Sequence, residues 1–171
     1  MFSRSDKLWL IALPVYVLVL IFRHEAGHAL SAVLYDGAQV TSFAVLPGFS
    51  AEGGFIRPHV RASGATSLLT RLAPYLLDVV VFSILYPACK YAVKMRRWIW
   101  LNVVVFAMFM PLLNAVGNYG TGLWRARSDV GVLLAEGPAV LVHLYFTATI
   151  VLFAYGSYDV LRSRKVADTS P

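Results

Sequence analysis

Four long apolar stretches, at about residues 8 to 34, 66 to 89, 98 to 116 and 138 to 160, decide most of what this chain can fold into. A hydrocarbon core about 30 Å thick needs about 20 residues of helix, and these stretches reach or approach that length. Lipid offers backbone amides no hydrogen bonds, so an apolar segment of this size must satisfy them internally, as a helix does. Hydrophobic residues fill 58% of the 171 positions and charged residues 14%, against about 25% charged in an average soluble domain. The expected fold is therefore an all-α polytopic membrane protein in a lipid bilayer. It should form a single membrane-embedded domain over residues 1–171, since the intervening polar pieces are too short for a second soluble one.

The net charge of +6 does not point to nucleic acid. Basic residues gather at Arg4/Lys7, at Lys90/Lys94/Arg96/Arg97 and at Arg162/Arg164/Lys165, all flanking apolar stretches. Four crossings put these clusters on one side, and the positive-inside rule makes that side, with both termini, cytoplasmic. Arg57, Arg61, Arg125 and Arg127 fall on the opposite side. The first stretch reads as a retained span, because cleavage behind it would separate residues 24–28 from the rest. Cys89 is the only cysteine, which excludes an intramolecular disulfide and leaves a small apolar residue near a helix end.

The first helix carries Pro14 and should end at Asp36-Gly37, where Gly37 suits a left-handed C-terminal position. Residues 38–60 change period: Val40, Ser42, Ala44 and Leu46 alternate with Thr41, Phe43 and Val45, and Pro47-Gly48 and Gly53-Gly54 supply turns. This predicts a short β-hairpin between the first and second helices, held at the interface or against helices because lipid cannot satisfy its edges. It is either a structured connector or an edge that pairs with an extended peptide. The second helix should open near Ser63 or Thr66. The third, anchored by Trp98 and Trp100, should break around Pro111 to Gly120 and give way to a loop over 120–127. Ser128-Asp129 reads as a helix start running to Ala135, and residues 162–171 as a frayed cytoplasmic tail.

Inside the first apolar stretch lies His24-Glu25-Ala26-Gly27-His28. Two histidines four apart project from one helix face and can bind one metal ion, and the glutamate beside the first can act on water held there. The metal implied is Zn2+, with Glu25 as general base rather than ligand. Catalytic zinc generally takes three protein ligands, so a third must come from elsewhere. Asp36 lies about 12 Å further along the same helix and cannot easily reach the ion. Glu52 and His59 sit in the connector, which leaves Asp78, Asp129 and His143. Asp78 is an intramembrane carboxylate that Arg71, seven residues earlier, could neutralise; His143 more often bonds a neighbouring helix; Asp129 could equally cap its own helix. Asn114 and Asn118, one turn apart if the helix persists, could donate to a substrate backbone or join helices. Gly53 and Gly54, in the hairpin, are further candidates for substrate contact.

HEAGHAL in a first transmembrane helix, a Gly-containing β-like connector, an Ala-Pro-led second helix and a later Asn-rich helix end with an Asp together resemble the site-2 protease family of intramembrane zinc metalloproteases. The likeness covers most of the chain and implies a minimal core of that family. In the family the third ligand is an Asp after an Asn- and Pro-containing stretch, commonly in Leu-Asp-Gly. Here Ser128-Asp129-Val130 follows Pro111, Asn114 and Asn118, which maps the ligand to Asp129, with Asp78 as runner-up. The Leu-Asp-Gly form is absent, and Gly appears only at 131. The function implied is hydrolysis of peptide bonds in or near transmembrane segments of a membrane protein or peptide substrate. The alternatives are a catalytically inactive relative acting as a membrane scaffold, or a zinc hydrolase with a non-peptide substrate.

Overall fold

The computed structural model describes residues 4–49, 54–56, 58–64, 66–91 and 97–169. Glu52 and Gly53 lie outside them. Among the described residues, four helical spans are long and apolar enough to cross a membrane: Ala12–Leu34, Leu68–Tyr91, Trp98–Trp124 and Ala139–Arg164. Their surfaces keep large apolar side chains outward, with Val15, Ile84, Leu144 and Val151 each more than half exposed. In water such surface would be a liability; against lipid it is the favourable face. The chain is a multi-pass membrane protein, and it forms two compact units, up to Tyr75 and from Leu76 onward.

The first unit holds α1 (Arg4–Leu34), four short strands and the start of α2 (Leu68–Tyr91). Strands β1 (Gln39–Ala44) and β4 (His59–Ser63) pair antiparallel with Ala44 opposite His59, and β2 (Gly48–Phe49) pairs with β3 (Phe55–Ile56) further along the same hairpin. The alternating pattern of residues 38–60 thus forms the expected β-hairpin between the first two helices. It meets the demand for cover by packing on α1, where Phe22 and Phe43 sit edge to face at 5.9 Å.

The turn out of α1 and the entry into α2 are tied together. Gly37 adopts φ +64, the left-handed conformation expected of it. The Ser31 carbonyl accepts from the Tyr35 and Asp36 amides, and that of Ala32 from Ala38. The second helix opens later than expected, at Leu68, because Ser67 is its cap: Ser67 Oγ accepts from the Thr70 amide at 3.4 Å. Asp36 then closes the junction. Its Oδ2 accepts from the Ser67 amide at 3.0 Å and from the Thr70 hydroxyl at 2.5 Å. These bonds, the Thr70 hydroxyl first, hold the Asp36 carboxyl below the ordinary carboxylate range.

The second unit comprises the rest of α2 with α3 (Arg97–Val104), a π-helical turn (Val105–Phe109), α4 (Met110–Trp124), α5 (Asp129–Glu136) and α6 (Ala139–Thr169). Its core is built from Phe82, Cys89, Trp100, Val104, Met108, Phe153 and Val160. The Trp100 indole donates to the Cys89 carbonyl at 3.0 Å, which places the lone thiol as a buried packing group near the end of α2. Two expectations need correction. The third span does not break at Pro111 to Gly120 but continues to Trp124, and residues 120–124 are helix rather than loop. Pro111 lacks an N–H, and the π turn just before it, in which Met110 N–H reaches the Val105 carbonyl, absorbs the proline without ending the helix. Likewise α6 runs to Thr169, so most of the expected frayed tail is helical; no helix breaker follows Gly156 until Pro171.

The Asp36 clamp makes a pH prediction. Its folded-state carboxyl titrates below the ordinary 3.8, so its stabilisation is complete above that value and is lost as pH falls through the lowered one. Thermal unfolding midpoints measured between pH 7 and pH 3 should fall further for the wild type than for Asp36→Asn. Equal falls would show that the carboxylate is not the responsible group.

Candidate metal centre

The site starts from a stripe on α1. His24, Gly27, His28 and Ser31 follow the i, i+3, i+4, i+7 spacing and so share one helix face. The two imidazoles meet edge to face, with ring centres 4.9 Å apart, and the His24 ring also rests on the buried Tyr75 ring at 5.4 Å. Between them Gly27 faces the backbone of α2. A Cβ on Gly27 would lie 2.7 Å from Cα of Pro74 and 2.9 Å from its nitrogen, so the helices approach this closely only because the fourth residue of HEAGH has no side chain.

His28 is oriented by a bond the sequence did not announce. Its Nδ1 lies 2.7 Å from the Thr70 carbonyl oxygen. A carbonyl only accepts, so Nδ1 carries the hydrogen, and in the neutral ring Nε2 then presents its lone pair. A ring whose Nδ1 donates to a carbonyl is in the state in which histidine ligates metals through Nε2. Glu25 is buried at 9% exposure, within an apolar span where a carboxylate is expensive and a functional reading is the default.

The carboxylates separate by circumstance. Ser128, not Asp129, caps α5: its hydroxyl oxygen accepts from the Gly131 amide at 3.1 Å. Capping therefore makes no demand on Asp129, the first residue of the helix. The turn before it is tight. A Cβ on Gly131 would collide with the Arg125 carbonyl oxygen, and one on Gly122 would lie 2.5 Å from Cβ of Val130. Asp78, only 2% exposed, instead accepts from the Asn114 amide at 2.7 Å, and Asn118 donates to both the side-chain and the backbone oxygen of Asn114. The Asn114 amide thus joins α4 to α2, and Asn118 braces it from within α4.

The remaining histidines are accounted for elsewhere. His143 Nδ1 pairs with the Tyr119 hydroxyl at 2.7 Å, linking α6 to α4, and His59 Nε2 lies 3.2 Å from Ser42 Oγ across the β1–β4 ladder. Gly54 is exposed in the hairpin. Thr70 is the residue that reading the sequence missed, and Pro74 entered it only as the Ala-Pro lead of the second helix; the signal available was a threonine four positions before a proline, a spacing that frees a helix carbonyl.

No family model, curated protein or solved structure matches this chain.

Two glycines test the packing. Gly27→Ala should cost about 1–3 kcal/mol, because its methyl meets backbone that must move. Gly131→Ala should cost a similar amount for the same reason. Thermal unfolding in detergent measures both, and unchanged midpoints would mean that the helices and the turn do not approach as closely as described.

Proposed function

We propose that this chain is an intramembrane zinc endopeptidase, similar to the site-2 proteases, that hydrolyses peptide bonds in or near transmembrane segments. The observation that carries the reading lies on α1: His24 and His28 share one helix face with ring centres 4.9 Å apart beside the buried Glu25, and Asp129 is the third donor that the family resemblance supplies. Two imidazoles and a carboxylate are a ligand set that zinc hydrolases use, with a fourth position left for water or substrate. The His28 tautomer and the capping of α5 by Ser128 in place of Asp129 fit that set.

When bound, zinc supplies Lewis acidity that polarises a carbonyl and acidifies water. The chain's own residues do the rest. Glu25, adjacent to His24 and buried, takes the proton from the attacking water and delivers it to the leaving amine. A helical substrate hides its carbonyls from attack, so the cleaved segment must be extended. The β1–β4 ladder is two strands wide among the described residues, and one of its edges can hold such a segment by strand addition. The basic clusters beside the spans support an orientation with both termini in the cytoplasm.

Zinc analysis and turnover of a transmembrane peptide, measured on the same purified protein, test the reading. Glu25→Gln should lower turnover by about 10²- to 10⁴-fold with zinc content nearly unchanged. Asp129→Ala should lose zinc, whereas Asp78→Asn should keep it. Retained turnover in Glu25→Gln would remove the protease reading, and a zinc content insensitive to Asp129→Ala would remove that ligand.

A further inference from the structure

We propose that Asp36, Thr70 and Pro74 form a positioning device for the metal centre: together they free, hold and aim the carbonyl that bonds Nδ1 of His28. The proposal rests on the zinc reading for its purpose, though not for its geometry.

The device begins with a missing hydrogen. In an α-helix the carbonyl of residue 70 accepts from the amide of residue 74. Residue 74 is proline, which has no N–H, so the Thr70 carbonyl loses its helical partner. In a membrane span a freed carbonyl has to find a donor from a neighbouring element. The donor is His28 Nδ1, at 2.7 Å. Pro74 contributes a second time, since its backbone is the surface on which Gly27 rests and so sets how near α1 comes.

A carbonyl in the first turn of a helix is a poor anchor if that turn frays, and here it is held from three directions. The Thr70 amide bonds the Ser67 hydroxyl at 3.4 Å; the Thr70 hydroxyl donates to Asp36 at 2.5 Å and lies 3.2 Å from that of Ser31; and Asp36 also takes the Ser67 amide at 3.0 Å. Thr70 itself is 5% exposed. Asp36 is thus too far along α1 to ligate the ion yet reaches His28 through a single intermediary. The requirement on residue 36 is a hydrogen-bond acceptor, which Asn also provides.

The test uses full-length protein in detergent with nitrogen-labelled histidine, comparing wild type with Thr70→Val, Pro74→Ala, Asp36→Ala and Asp36→Asn. In the metal-free wild type the His28 ring should show a single tautomer protonated at Nδ1. Pro74→Ala restores a competing N–H, and Thr70→Val and Asp36→Ala loosen the turn, so each should yield mixed tautomers. Zinc affinity, measured by competition with a chromophoric chelator, should weaken about tenfold in these three. Asp36→Asn should stay within about threefold of wild type, since it keeps the acceptor. Thr70→Val conserves shape and guards against a general folding defect. The proposal is overturned if the tautomer and the affinity are unchanged in all three variants, even where their thermal midpoints fall. A wild type that shows the single tautomer, loses it in the variants and binds no zinc would keep the device and reject the metal reading.

Discussion

Hydrocarbon supplies no hydrogen bonds, and most of the polar groups described within the spans of this protein are answered from inside the chain. The simplest answers are local: the hydroxyls of Ser83, Thr149 and Ser157 each bond the carbonyl one turn back. Others are built across helices. Asp78 in α2 is met by Asn114 in α4, which is braced by Asn118 one turn on, and Tyr119 meets His143 of α6. An unsatisfied buried amide costs on the order of 2–7 kcal/mol in apolar surroundings and an unpaired carboxylate more. Pairings of that size fix which faces of these helices can meet.

The same constraint shapes the candidate centre. Proline within a span normally leaves a carbonyl unpaired, and the chain handles Pro111 and Pro74 differently. At Pro111 the backbone adjusts, winding one π turn before α4. At Pro74 the first turn of α2 keeps its place, clamped by Asp36 and Ser67, and a histidine side chain takes the position of the missing N–H. That difference places the hydrogen of the imidazole on Nδ1, which in the neutral ring leaves the lone pair on Nε2. Gly27 is the steric counterpart of this bond, for a side chain there would hold Pro74 away.

Much of this is legible in the sequence, for physical reasons that differ by residue. The four spans follow from length and apolarity, and the hairpin from a change of period between residues 38 and 60. Gly37 follows from its place after the last helical turn. The third span departs from expectation because Pro111, Gly117 and Gly120 are local breakers, and local propensity gives way where packing and a π turn hold a helix together in an apolar setting. The tail departs from it because polar residues say nothing against helix; they say only that the chain leaves the lipid.

His24, Glu25 and His28 were determined by the sequence alone, since a helix turns about 100° per residue and any helix bearing HExxH puts both imidazoles on one face. The spacing also argued against Asp36 as a ligand. What sequence could not decide was the use of the other polar residues, because partners far apart along the chain are chosen by folding and not by spacing. Tertiary structure assigned Asp78 to Asn114, left the capping of α5 to Ser128 rather than Asp129, and brought Thr70 to His28 across 42 positions. A carboxylate or a carbonyl carries no sign of its partner until the helices are packed; only then does the cost of an unsatisfied group select one.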